Sequence, residues 1–77
     1  MGYKILERRL LAREGRTVGT TRSLAEARQL VETWAPGTPD ETLLYIRYSN
    51  PAKRRIAGYQ EPNVEGYLVE NGLADLV

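Results

Sequence analysis

Apolar side chains recur along this 77-residue chain with two different periods, and the change of period marks its elements. In residues 23–35, SLAEARQLVETWA, they recur at spacings of three and four, which is typical of a helix with one buried face. Ser23 followed by Glu26 three residues later is a capping-box pattern, and Pro36 with Gly37 ends the run. The pattern predicts one helix over about residues 23–35.

After this helix the apolar period changes to two, which predicts strands. In residues 42–49, TLLYIRYS, Leu44, Ile46 and Tyr48 alternate with Leu43, Tyr45 and Arg47. Both sets are apolar at their start, so we expect a central strand. Pro51 makes a turn over NPAK. Residues 54–61, RRIAGYQE, are predicted to return as a strand in which Ile56 faces the core and Gly58 marks a bulge or a close approach.

The two ends of the chain complete the predicted layout. Residues 62–65 are expected to turn, GYLVEN to form a strand, and the tail GLADLV to form either an edge strand or a docking turn. Residues 3–12 fit a helix or a strand, and the β-branched run after Gly15 favours a hairpin with a turn at residues 13–16. We expect one α+β domain over residues 1–77, ordered β-β-α-β-β-β, with an antiparallel sheet of four to five strands and the helix on one face.

The composition excludes several classes of chemistry. The chain has no cysteine and no histidine, which removes disulfides, thiolate metal sites and the commonest general base. No phosphate-binding glycine loop occurs, and Asp40 with Glu41 is interpreted as part of a turn. We therefore expect a protein that is not an enzyme, with no catalytic residue, metal or cofactor. No apolar run approaches 18 residues and the N-terminal stretch is charged, so we expect a cytoplasmic protein without a membrane partner.

Charge is distributed unevenly although the net charge is only +1. Residues 1–28 contain seven basic and three acidic side chains, a net +4, whereas residues 56–77 contain four acids and no base, a net −4. Such a split indicates a charged partner such as nucleic acid. It is also explained by an acidic last strand that lies beside a basic first strand and pairs with it.

Two basic clusters carry the candidate binding chemistry. The first lies around the predicted hairpin, where strand alternation places Arg8 and Arg9 on opposite faces, and the second follows Pro51. Tyrosines nearby offer surfaces on which bases stack. The alternative interpretation is that Tyr48 and Tyr59 form a cross-strand aromatic pair that closes the sheet. The candidate binding residues are Arg8, Arg9, Arg13, Arg16, Lys53, Arg54, Arg55, Tyr48 and Tyr59.

The order of features over residues 3–66 resembles small phage anti-CRISPR proteins. The similar stretch is the helix start SLAEA, residues 23–27, preceded by the turn at Glu14 and Gly15. The resemblance implies a phage or mobile-element origin and inhibition through protein–protein contact, often at a nucleic-acid groove. It assigns no functional residue in this chain.

Three functional hypotheses follow from the sequence. The first is a non-enzymatic module that binds nucleic acid or a nucleoprotein through its arginines. The second is an inhibitor or adaptor that binds a host protein through tyrosines and arginines. The third is a structural homodimer sealed by the apolar tail and an edge strand.

Overall fold

A five-stranded antiparallel sheet with one helix packed on it forms the molecule, as described for residues 2–77 by a computed structural model. The strand order is β2-β1-β3-β4-β5. This confirms the α+β class, the order β-β-α-β-β-β and the N-terminal hairpin. The elements are β1 (Gly2–Arg9), β2 (Arg16–Thr21), α1 (Leu24–Trp34), β3 (Thr42–Ser49), β4 (Asn63–Glu70) and β5 (Leu73–Leu76).

Helix α1 begins and ends where the sequence predicts. The Ser23 side chain accepts a hydrogen bond from the Glu26 N–H at 3.1 Å, which satisfies an otherwise unpaired donor of the first turn. The helix continues into a short 3-10 turn, Ala35–Gly37. Its buried Ala27 and Val31 pack on the sheet.

The core lies between α1 and one face of the sheet, here called the covered face. Ile5 of β1, Leu44 and Ile46 of β3, and Val69 of β4 are buried there. Strand β3 is central, as predicted, because it pairs with β1 on one side and β4 on the other. The opposite face, here called the open face, is not covered by the helix.

Residues 54–61, RRIAGYQE, do not form a strand, so the sequence prediction is wrong here. Pro51–Arg55 forms a 3-10 turn, started by the Asn50 side chain, which accepts from the Ala52 N–H. The chain then continues as a loop to Pro62, and Ile56 is 56% exposed rather than in the core. Proline at the start of the turn and few apolar residues after it leave this stretch without a buried face.

Two smaller predictions in this region are also wrong. Gly58 has a φ of 77° in the loop, with no atom within 4 Å of a Cβ built on it, so it marks a turn rather than a bulge or a close approach. The predicted turn at residues 62–65 is instead the beginning of β4 at Asn63. The sheet nevertheless has five strands, within the predicted four to five, because the C-terminal tail forms a strand in place of the one predicted at residues 54–61.

The tail forms edge strand β5, one of its two predicted alternatives. Asn71 and Gly72 join β4 to β5 with φ values of 54° and 77°, the positive values that a two-residue hairpin turn requires. Asp40 accepts a hydrogen bond from the Asn71 N–H at 2.8 Å, which ties this turn to the loop before β3.

Candidate functional site

The open face changes in charge from one side to the other. Arg8 of β1, Leu43 of β3, Leu68 of β4 and Asp75 of β5 are register partners across it, so the face is basic at β1 and acidic at β5. The apolar residues between them are only half-buried because the helix packs on the other side. The open face is therefore a shallow surface with a basic half, formed by β1 and β3.

Tyr45 and Arg47 of β3 occupy the middle of the basic half. The Arg47 guanidinium lies over the Tyr45 ring, 5.5 Å from its centroid, and its Nε donates to Asn63 Oδ1 at 3.1 Å. Leu6, the register partner of Tyr45 on β1, is buried although it is on this face. The guanidinium thus makes a cation–π contact with the ring while Asn63 holds its other side.

The hairpin between β1 and β2 closes one end of the open face. Arg8 donates to the backbone oxygen of Ala12 at 2.8 Å, which holds the hairpin loop. The Tyr45 hydroxyl reaches the same loop at Gly15. A cavity of about 250 Å³ lies here, lined by Arg8, Leu43, Tyr45, Arg47, Asn63, Gly66 and Val77.

The loop over residues 50–62 closes the other end with a cluster of four polar side chains. Lys4 donates to Glu61 Oε1 at 2.9 Å, and Arg54 donates to Ser49 Oγ at 3.1 Å. Arg54 Nε is 3.9 Å from Glu61 Oε2. The hydrogen bond from Lys4 is the main reason that the pKa of Glu61 is lowered, and Ser49 and Arg54 add to the shift.

A wider groove of about 720 Å³ joins this cluster to the middle of the face. Arg47, Arg54, Tyr59, Gln60, Glu61 and Asn63 line it. Lys53 lies over the Tyr59 ring, 5.8 Å from its centroid. Arg47 and Asn63 line both cavities, so the two form a continuous path along β3.

The two predicted basic clusters lie at opposite ends of the sheet. Strand β1 pairs with β3 so that Gly2 meets Ser49 and Arg9 meets Thr42. The hairpin arginines therefore lie beyond one end and Lys53, Arg54 and Arg55 beyond the other, separated by seven strand residues or about 23 Å. Only Arg8 and Arg54 of these clusters line the cavities of the open face.

The other predicted arginines fall outside this path. Arg16 is paired with Glu7 at 3.4 Å. Within residues 2–77, the side chains of Arg9, Arg13 and Arg55 are exposed and make no hydrogen bond or ion pair. A single flat partner cannot contact Arg13 and Arg55 together without covering the length of the sheet.

Tyr48 and Tyr59 do not form the cross-strand pair that the sequence allowed. The Tyr48 ring meets Tyr3 of β1 edge-to-face at 5.5 Å, on the covered face, and Tyr59 is in the loop beside Lys53. The pair required residues 54–61 to return as a strand, which they do not.

The acidic C-terminal segment pairs with the basic N-terminal segment, but not as neighbouring strands. Strand β3 lies between β1 and β4, so the contacts come from other elements. Lys4 reaches Glu61 in the loop, and Arg28 of α1 forms an ion pair with Glu65 of β4. Tyr67 also donates to Glu65, and these two donors lower the pKa of Glu65, with Arg28 the larger cause. Two of the four acids in residues 56–77, Glu61 and Glu65, are therefore paired with basic side chains of the N-terminal segment.

The candidate binding residues predicted from the sequence did not include three residues of the open face: Tyr45, Arg47 and Asn63. Their signal was present in TLLYIRYS, where Tyr45 and Arg47 alternate with the core residues Leu44 and Ile46. Both alternating sets begin with leucine, so the pattern did not decide which set the helix covers. Asn63 was placed in a turn, which concealed its position opposite Arg47.

The described part of the chain offers no metal-binding group of three or more acidic, cysteine or histidine side chains. Within residues 2–77, α1 is neither long enough nor apolar enough to cross a membrane. Comparisons with protein families, with curated proteins and with solved structures find no match to this chain. The resemblance to anti-CRISPR proteins therefore stays a prediction, and function is inferred from the geometry of the open face.

Proposed function

We propose that this protein is a non-enzymatic module that binds single-stranded nucleic acid along the basic half of the open face. The observation that carries the proposal is the order of side chains along the face: Arg8, Tyr45 with Arg47 over it, then Arg54 and Tyr59. A line of cations interleaved with aromatic rings suits a single strand, since cations attract phosphates and rings stack on bases.

The charge gradient supports one path for the strand. Asp75 repels phosphate at β5, whereas Arg8 and Arg47 attract it at β1 and β3. The path from Leu43 to Ser49 covers six strand residues, about 20 Å. That length suits about four nucleotides, the lower end of the site sizes of small single-strand-binding folds.

A single strand fits this face better than a duplex. No helix of the described chain projects from the surface, because α1 packs on the covered face, and the major groove is normally read by a projecting helix or ribbon. An exposed sheet face with a half-buried tyrosine, here Tyr45, is the geometry on which unpaired bases stack.

Fluorescence anisotropy with a labelled ten-nucleotide oligothymidylate across a salt series tests the proposal. We expect binding at low salt that weakens as salt rises, and weaker binding to a duplex of the same length. Tyr45→Leu should weaken binding about fivefold to a hundredfold, whereas Tyr45→Phe, which keeps the ring, should bind nearly as the parent does. Absence of binding at low salt, or equal losses in both variants, would contradict the proposal.

A host protein is the competing partner, because tyrosine, arginine and half-buried leucine are also the chemistry of protein interfaces. Capture from a host lysate with and without nuclease separates the two. A captured protein that survives nuclease treatment, together with no oligonucleotide binding, would replace this proposal by the inhibitor hypothesis.

Strand β5 favours self-association as a second candidate function. It is a sheet edge with unpaired backbone groups, and Leu73, Leu76 and Val77 are 66%, 69% and 75% exposed. Light scattering over a range of concentrations tests this. A mass that doubles with concentration, and stays monomeric after Leu76→Lys, is expected of a dimer sealed at β5, and a strict monomer at millimolar concentration excludes it.

A further inference from the structure

Among the described residues, Glu61 is the one acid that lines the groove of about 720 Å³, beside Arg47, Arg54 and Tyr59. Its two oxygens are held differently. Oε1 accepts a hydrogen bond from Lys4 at 2.9 Å, whereas Oε2 is buried, accepts no hydrogen bond from the described residues, and faces Arg54 at 3.9 Å. The contact with Lys4 is thus close, and the contact with Arg54 is long.

Arg54 is held in place by a second partner and remains accessible. One of its amino groups donates to Ser49 Oγ at 3.1 Å, and its side chain is 53% exposed beside the groove of about 720 Å³. Its long contact with Glu61 is weak, since ion pairs between partly exposed groups contribute little. A phosphate that approaches from the groove can instead accept two parallel hydrogen bonds from a guanidinium.

We propose that Arg54 is a phosphate-binding residue of this face and that Glu61 competes internally with the phosphate for it. In the unbound protein the carboxylate offsets part of the charge of Arg54 through this long contact. On binding, the phosphate takes Arg54 while Glu61 keeps its hydrogen bond with Lys4. This inference rests on the proposed function, because the ligand is a phosphate of the bound single strand.

The competition is expected to lower the affinity for phosphate. A bound phosphate must displace the Oε2 contact and tolerate the remaining negative charge of Glu61 nearby. A strand held at several phosphates offsets this cost through its other contacts, whereas an isolated anion has none.

A charge-matched pair of variants tests the competition. Glu61→Gln keeps an oxygen for Lys4 but removes the negative charge, and Glu32→Gln makes the same change of net charge on the exposed side of α1. We expect Glu61→Gln to bind the oligothymidylate about threefold to fivefold more tightly than Glu32→Gln. In the Arg54→Ala background the advantage of Glu61→Gln over Glu32→Gln should disappear. Circular dichroism of each variant establishes that the fold is kept.

Each outcome distinguishes the two proposals. If the parent protein binds and Glu61→Gln gains no more than Glu32→Gln, internal competition is wrong and the binding function stands. If the gain in affinity persists in the Arg54→Ala background, Glu61 repels the ligand through its charge alone, and the competition for Arg54 is wrong. If neither the parent nor Glu61→Gln binds at low salt, the proposed function fails and the competition with it.

Discussion

The two faces of the sheet are built from the same strands but differ in what their side chains do. On the covered face, Ile46 and Val69 are fully buried against α1, and the polar group Glu65 is tied to Arg28. On the open face, one residue along the same strands, Tyr45 and Arg47 are half-buried, and the Arg47 guanidinium lies over the Tyr45 ring. Alternation along β3 thus separates the residues that stabilise the fold from those available for a ligand.

Truncation of a side chain to alanine should show the largest difference in stability between the two faces. Ile46→Ala on the covered face is expected to lower the free energy of unfolding by about 2–5 kcal/mol, because it leaves a cavity under α1. Leu43→Ala, on the open face of the same strand, should cost less than half as much, since its side chain is already partly in water. Urea denaturation of both variants measures the difference, and equal losses would show that the open face is also a core.

The packing of Trp34 on β2 gives the next largest effect. A Cβ at Gly19 would lie 2.7 Å from Trp34 Cη2, so Gly19→Ala must displace the indole and should cost about 1–3 kcal/mol. Gly37→Ala is the control, because a Cβ there meets nothing within 4 Å. The fluorescence of the single tryptophan should shift in the first variant and not in the second. An unchanged Gly19→Ala protein would contradict this packing.

The middle of the open face and the hairpin end of the sheet should contribute unequally to binding. Arg47→Gln removes a cation from the path of the strand, so the salt dependence of oligothymidylate binding should become less steep by about 0.7 in log–log slope. Arg9→Gln at the hairpin should leave the slope nearly unchanged, although the net charge changes equally. Anisotropy titrations at several salt concentrations measure both slopes. A larger change for Arg9→Gln would place binding at the hairpin instead.

The smallest expected effect is the dependence of stability on pH. Glu61 and Glu65 have lowered pKa values in the fold, mainly through hydrogen bonds from Lys4 and Arg28 respectively. Between the folded pKa and the ordinary glutamate value of about 4.3, the unfolded chain binds more protons, so stability falls as pH drops through this range. Glu65→Gln should flatten the decline measured by thermal melts, and Glu32→Gln should not. Equal slopes in both variants would contradict the role of the Arg28 pair.

Much of the fold follows from local patterns, and the open face does not. The capping residue Ser23 and the alternation in TLLYIRYS act through neighbours in sequence, so the helix and β3 were predicted with nearly correct bounds. The turn at Asn71 and Gly72 also had a local signal, an Asn-Gly pair, which the prediction overlooked.

The site depends on contacts between distant segments. Glu61 meets Lys4 across 57 residues, and Arg28 meets Glu65 across 37, and no local pattern encodes either pair. Arg54 and Arg55 were predicted to begin a strand after a turn over residues 50–53, whereas the turn that Pro51 starts continues to Arg55 as a 3-10 turn. Whether a cation is available or already paired is settled by tertiary structure.

Chemical-shift mapping by NMR tests the open-face proposal most directly. A ¹⁵N-labelled protein titrated with the ten-nucleotide oligothymidylate at low salt should show its largest amide and Arg Nε–Hε changes at Tyr45, Arg47, Asn63 and Arg54, with little change in α1. No change at low salt, or changes confined to Arg9 and Arg13 at the hairpin, would contradict binding on the open face.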